Sequence, residues 1–175
     1  MVEKMNNVRL LQADEIECRV GMIRANAQKE NGCSLLLYKD ARVDMRILDE
    51  TVGVGNWTRA HHMIGDNLYC SVGIWSKEIG MWIHKEDVGT ESKTEKEKGQ
   101  ASDAFKRACV NWGIGRELYT APFIWVKLRD DELLSQSAIK TKFYVREIGY
   151  DEKRNINHLV IVDNHGEARY TYGKR

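Results

Sequence analysis

Apolar residues recur along this chain in several distinct rhythms, and each rhythm predicts a different element. In residues 14–27 (DEIECRVGMIRANA), Ile16, Val20, Ile23 and Ala27 fall at helical spacing behind acidic residues that suit a first turn. That pattern predicts an amphipathic helix. The short apolar run CSLLLY at 33–38 predicts a strand. Residues 41–52 (ARVDMRILDETV) place Val43, Ile47 and Val52 on one side and predict a second helix, stopped by Gly53 and Gly55. From 56 to 88 the pieces NWTRAHHMI, LYCSVGIW and MWIHKEDV are rich in β-branched and aromatic residues and separated by the turn-like GDN and SKEIG. They predict a three-stranded antiparallel meander.

The clearest helical stripe follows the charged segment TESKTEKEKG. In QASDAFKRACVNWG, Ala101, Ala104, Phe105, Ala108, Cys109 and Trp112 recur at i, i+3, i+4, i+7, i+8 and i+11, the signature of a helix with one buried face. Gly113 and Gly115 end it, and Pro122, the only proline, follows in an irregular link. Beyond it, IWVKL predicts a strand, DDELLSQ a helical turn, KFYVREIGY and NHLVIVD a hairpin around DEKRN, and ARYTY a last strand. Together these give a single α+β domain over 1–175: a three-stranded antiparallel β-meander packed by a long helix (a β-β-β-α core), flanking helices, and a C-terminal β appendage at 123–175 that carries the hairpin.

Composition narrows the class. A chain of 175 residues with 42% hydrophobic and 30% charged types suits one soluble core. Its apolar runs are too short to span a bilayer. The start, MVEKMNNVRLLQADE, lacks a basic-then-apolar leader, so the expected location is the cytoplasm. Cys18, Cys33, Cys70 and Cys109 stand apart without a CxxC pair and fit reduced thiols better than a disulfide framework or a zinc site. The net charge of +1 attracts no polyanion by itself, so any site for one must be local. Residues 1–88 carry 11 Lys/Arg against 13 Asp/Glu and residues 89–175 carry 16 against 13, an asymmetry too small to decide anything.

Candidate chemistry is sparse. There is no GxxxxGK[ST] phosphate loop, and GVG at 53–55 and GIG at 113–115 read as helix stops. His61 and His62 are adjacent, so on a strand they point to opposite faces and cannot chelate one metal from one side. Asp87, Glu91 and Lys93 imitate the acidic pair and lysine of a metal-dependent nuclease. Their four-residue spacing at a strand end favours a solvated acidic turn. What remains is a binding surface. The long helix carries Lys96, Lys98, Lys106 and Arg107, and Arg116 lies just beyond it. At 100° per residue Lys98 borders the apolar stripe, while Lys106 and Arg107 flank the side away from it. Cations spaced along a rigid element suit phosphates recognised without sequence readout. Glu95, Glu97 and Asp103 on the same segment keep open the alternative of an ordinary solvated helix face.

Three segments in order, YKDARVDMRILDETVGVGNW (38–57), HKEDVG (84–89) and SDAFKRACVNWGIGRELY (102–119), resemble the single-strand DNA annealing proteins of the Rad-fifty-two superfamily, phage or prophage type. The resemblance implies ATP-independent annealing of complementary strands in homologous recombination by a ring of identical subunits. No cofactor, metal or covalent catalysis is implied. In such proteins a basic groove grips the DNA backbone and leaves the bases free to pair. Lys106 and Arg107 occupy the position of the family's phosphate-binding Lys-Arg pair, Arg42 resembles an arginine at the start of the preceding helix, and Lys98 is an additional groove cation. Val110 stands where eukaryotic members have a further basic residue and Val54 where they have an aromatic one, which implies a weaker grip. The shorter link before the long helix leaves a second, outer DNA-binding surface open. The end of the chain at Arg175, without a long recruiting tail, favours a phage-type protein acting on DNA in a bacterial host. Implied partners are single-stranded DNA, annealing intermediates and other copies of the chain, with a host single-strand binding protein and an exonuclease beside them and no membrane. Trp57, Trp75, Trp82 and Trp112 are expected in the core or a subunit interface. A passive coating protein, a nuclease using Asp87, Glu91 and Lys93, and a purely structural oligomer are the rival readings.

Overall fold

A computed structural model of the protein describes residues 8–25, 30–90 and 96–173, which form antiparallel sheets and two α-helices, an α+β architecture. The chain divides into two units built from interleaved segments. The first comprises residues up to Leu10 together with Ala41–Arg116, and the second comprises Leu11–Asp40 with Glu117–Arg175. No helix among the described residues is long and apolar enough to cross a membrane.

Strands β1 (Glu17–Arg24) and β2 (Gly32–Tyr38) come first in the chain and belong to the second unit; in the first unit, helix α1 (Ala41–Val52) precedes the strands β3 (Trp57–Ile64), β4 (Asn67–Ser76) and β5 (Met81–Val88), and helix α2 (Lys96–Asn111) follows. The three strands pair in sequence order, β3-β4-β5. Register places Trp57, Ile74 and Ile83 in one row, Arg59, Val72 and Lys85 in the next, and His61, Cys70 and Asp87 in a third, all on one face. Helix α2 packs across β4 and β5 on that face. The buried residues Ala104, Phe105, Ala108, Cys109 and Trp112 of its stripe face a strand whose Cys70, Val72 and Ile74 are buried as well. The Trp112 indole donates to the Val72 carbonyl at 3.0 Å, which satisfies its polar edge inside the core.

The second unit holds β1 (Glu17–Arg24), β2 (Gly32–Tyr38), β6 (Ile124–Lys127), β9 (Phe143–Tyr150), β10 (Ile156–Asp163) and β11 (Ala168–Tyr172) in a six-stranded sheet of order β11-β10-β9-β1-β2-β6, beside a small β7–β8 hairpin (Leu133–Ser135 and Ala138–Ile139). The sheet curls until its edge strands β6 and β11 touch. Arg169 of β11 donates to the Lys127 carbonyl at 2.7 Å and the Tyr170 hydroxyl to the Phe123 carbonyl at 3.3 Å, so side chains close an edge that backbone pairing leaves open.

Residues 14–25 are not the helix expected over 14–27: Ala13–Glu15 form a three-residue 3-10 turn and strand β1 follows, while residues 26 and 27 of that expectation lie outside the described residues. A register shift between Val20 and Ile23 explains the misreading. Cys18, Val20 and Ile23 are the less exposed positions of β1, and the irregularity turns a two-residue step into a three-residue one that imitates a helical period. DDELLSQ holds its helical turn as a 3-10 turn, Asp130–Glu132, and the residues after it enter β7, which the hydrophobic pattern does not predict. Apart from the short β8, which that pattern does not predict either, the other strands and both α-helices lie where it places them, with α2 starting at Lys96, ahead of its apolar stripe.

A buried ion cluster closes the second unit. Arg169 donates to Glu132 Oε1 at 2.6 Å, Glu132 Oε2 at 2.8 Å and Asp163 Oδ2 at 3.0 Å, with side chains 7%, 6% and 1% exposed respectively. The Arg169 hydrogen bonds hold the Glu132 carboxyl down at about 2 against an ordinary 4.5. Burial pushes Asp163 up, but hydrogen bonds from the His165 amide and from Arg169 leave it below its ordinary value. A carboxylate with a depressed folded-state pKa stabilises the fold above the unfolded-state value and loses that contribution as pH falls through the folded one. Urea melts are therefore expected to show stability falling from about pH 4.5 towards pH 2. Arg169→Leu is expected to cost about 3–5 kcal/mol at pH 7, because it strands two buried carboxylates, and to flatten that acid dependence.

Candidate nucleic-acid interface

Helix geometry sets out the cations of α2. From Lys98 to Lys106 is about 12 Å along the axis and about 80° around it, and Arg107 lies a further 100° or so on. The flank facing β5 carries Gln100, Asp103, Arg107 and Asn111, all of which hydrogen-bond to residues 86–90. The flank facing β3 carries Ala101, whose carbonyl meets the His61 ring nitrogen at 3.0 Å, and Phe105, stacked on Trp57 at 6.2 Å. By the same spacing Lys106 stands on the crest turned away from the sheet, with Lys98 stepped towards β3.

The two cations of the Lys-Arg pair consequently differ. Arg107 donates from Nε and Nη2 to Asp87 Oδ1 at 3.3 and 3.2 Å, with its side chain 40% exposed. Lys106 makes no ion pair with any described residue and is half-buried. Lys98 is exposed in the first turn of α2, and Arg42 is exposed in the first turn of α1. A bond from the Trp57 indole to Asp49 Oδ1 at 2.7 Å, together with the Trp57–Phe105 stack, ties α1 to the same sheet and helix, so all four predicted cations belong to one unit.

The HKEDVG and SDAFKR segments lock onto each other. Asp87 takes Arg107, and Asp103 accepts from the Thr90 amide and hydroxyl, each at 2.9 Å. The Gln100 side chain donates to the Gly89 carbonyl at 3.2 Å. Gly89 permits this close approach: a Cβ there would fall 2.2 Å from the Gln100 carbonyl oxygen and 2.8 Å from the Ala104 nitrogen.

Several cations serve structure instead. Arg116 donates to the Val110 carbonyl at 2.9 Å and the Asn111 carbonyl at 3.2 Å, and Lys85 donates to the Asn111 carbonyl at 2.9 Å while standing 4.5 Å from the centre of the Trp112 ring. Both donate to the Asn111 carbonyl at the C-terminal end of α2, where cations are favoured. Arg59 covers Phe105 at 5.1 Å. Lys85 and Arg59 were readable only through the two-residue alternation that puts them in the row of Val72. Asp87 is engaged by Arg107, while Glu91 and Lys93 of the nuclease reading lie outside the described residues. His61 and His62 do point to opposite faces, His61 to the α2 backbone and His62 to Glu86 at 3.3 Å. No group of three or more metal-binding side chains occurs among the described residues. None of the four cysteines forms a disulfide, and burial pushes Cys18 up to about 12 and Cys33 and Cys70 up to about 11, which leaves those three thiols inert.

Over residues 12–133, more than half of its length, the chain matches the Rad52/22 family of double-strand break repair proteins. It belongs to that family. No curated protein and no solved structure matches it significantly. The matched span contains β1 through α2 and the whole Asp87–Gly89–Arg107 lock, which assigns the chain to DNA repair and recombination. Gly89→Ala is expected to cost about 3 kcal/mol, the upper end of overpacking penalties. Gly55→Ala, where a Cβ meets open space, should stay within about 0.5 kcal/mol in the same denaturant melts.

Proposed function

We propose that the protein binds single-stranded DNA and anneals complementary strands without ATP or covalent catalysis, as a recombination protein of the phage type. The observation that carries this reading is Lys106: a lysine without an ion-pair partner among the described residues, on the crest of a rigid helix, in the segment whose resemblance implies the family's phosphate-binding Lys-Arg pair. Arg107, Lys98 and Arg42 extend the cationic set within the same unit. Neutralising phosphates on two strands lowers their mutual repulsion, and gripping backbone rather than bases leaves base edges free to search for a complement.

Self-assembly into a ring is part of the proposal. The β4–β5 hairpin exposes Ile79 and Met81 beside an edge-on pair of Trp75 and Trp82, their centroids 5.6 Å apart, and the β3–β4 hairpin exposes Met63 and Ile64. Both ends of the meander thus carry apolar surface that a second copy would cover, and β3 and β5 offer edges for pairing. Trp112 is buried and Trp57 half-buried.

The deciding experiment follows pairing of complementary labelled oligonucleotides without ATP, with and without magnesium, across a salt series. Accelerated pairing that weakens with salt and leaves strands intact is the expected result. Slowed pairing would identify a coating protein, and magnesium-dependent shortening a nuclease. Lys106→Ala/Arg107→Ala is expected to lower affinity for all sequences alike and to reduce the salt slope by roughly 1.4, the value for two single-strand phosphate contacts. Asp87→Asn separates the rival readings. Removing the carboxylate that competes for Arg107 should tighten DNA binding at low salt, whereas a nuclease would lose cleavage.

A further inference from the structure

The outer face of the second unit's sheet carries planar groups that annealing through α2 does not use. Trp125, on edge strand β6, pairs with Ser34 of β2, two residues from Gly32. A Cβ at Gly32 would fall 2.5, 2.6 and 2.7 Å from Cζ2, Cε2 and Nε1 of Trp125, so the indole spills across β2 into space that only a glycine leaves. The cross-strand neighbour of Gly32 on β1 is Arg24, whose Cζ stands 4.8 Å from the indole centre. Phe123 runs nearly parallel to the indole, with centroids 6.4 Å apart and planes 16° apart, and is 74% exposed.

Around this stack the same face exposes Met22, Leu36 and Arg19, the last paired in register with Leu36. The neighbouring carboxylates are occupied: Glu30 by Lys127 at 2.6 Å, and Glu17 by the Tyr38 hydroxyl. Arg24 makes no ion pair with any described residue. Flat aromatic faces beside a cation with no carboxylate partner among the described residues match the chemistry of an unpaired base next to its phosphate, and duplex DNA offers no such base face.

We propose that this face is a second nucleic-acid site, which stacks one or two bases of a single strand on Phe123 and Trp125 and holds their phosphates with Arg24 and Arg19. The proposal rests on the reading of the protein as a single-strand binder, but it lies in the other unit and works through bases rather than backbone charge. Stacking adds affinity that salt does not screen, so its signature differs from that of Lys106 and Arg107.

The test measures binding of a short oligothymidylate and of an abasic strand of equal length to the full chain, Phe123→Ala, Gly32→Ala and Lys106→Ala/Arg107→Ala, over a salt series. Phe123 is exposed, so its truncation leaves the fold intact, and Gly32→Ala tests the same site by displacing the indole. The expected result is a roughly 5- to 150-fold loss for oligothymidylate in Phe123→Ala, with unchanged salt slope and unchanged binding of the abasic strand. A photoreactive thymine should crosslink to β6 in the wild type. Wild-type affinity in Phe123→Ala and Gly32→Ala, with affinity lost in Lys106→Ala/Arg107→Ala, would overturn the stacking site and leave the α2 reading standing. No binding by any form would overturn both. Unchanged DNA affinity with an altered oligomeric state by light scattering would reassign the face to contact between copies and overturn the proposal.

Discussion

Burial of one stripe of α2 against β4 governs the first unit. Ala104, Phe105, Ala108, Cys109 and Trp112 are buried, as are Cys70, Val72 and Ile74, and once these faces meet the helix has no rotational freedom left. Every other position on α2 then has a fixed outlook. Gln100, Asp103, Arg107 and Asn111 must face the end of β5, and Lys106 must face outward. A single packing constraint thereby sorts two adjacent cations into different roles.

That sorting matters for the proposed binding. Arg107 shares Asp87, so a phosphate that engages it must displace a carboxylate or share its guanidinium, whereas Lys106 has only water to displace among the described residues. The pairing also orients Arg107, since a guanidinium held at two nitrogens loses less freedom on meeting a second anion. The close contact at Gly89 sits beneath this arrangement: without it the end of β5 would stand off α2, and the Asp87–Arg107 and Thr90–Asp103 bonds would lose their geometry.

The second unit solves a different problem, that of a sheet with two open edges. Its curl brings β6 and β11 together, and Arg169 fills the seam with bonds to Glu132, Asp163 and the Lys127 carbonyl. Burying one guanidinium with two carboxylates is tolerable because each charge finds partners, and the arrangement ties the β7–β8 region to the sheet. The curl also leaves a convex outer face on which Trp125 reaches over Gly32 to Arg24, a contact spanning three strands and a long stretch of sequence.

Local patterning by itself determined the meander, α1, α2, β2, β6 and the C-terminal hairpin, because helical spacing of apolar residues marked the two helices and short apolar, β-branched or aromatic runs bounded by turn residues marked the strands. The same spacing put Lys98, Lys106 and Arg107 off the buried stripe, and the motif resemblance singled them out with Arg42. It misplaced β1, where a local irregularity between Val20 and Ile23 broke the two-residue period into a false helical one. Contacts between residues remote in sequence were decided by tertiary structure alone: that Asp87 claims Arg107, that Lys85 and Arg116 cap α2 instead of lining a groove, that Arg169 meets Glu132, and that Trp125 lies across Gly32. The physical reason is the same in each case. Local spacing records which side of an element is buried, but which charge meets which partner depends on how two elements pack, and no local rhythm encodes that.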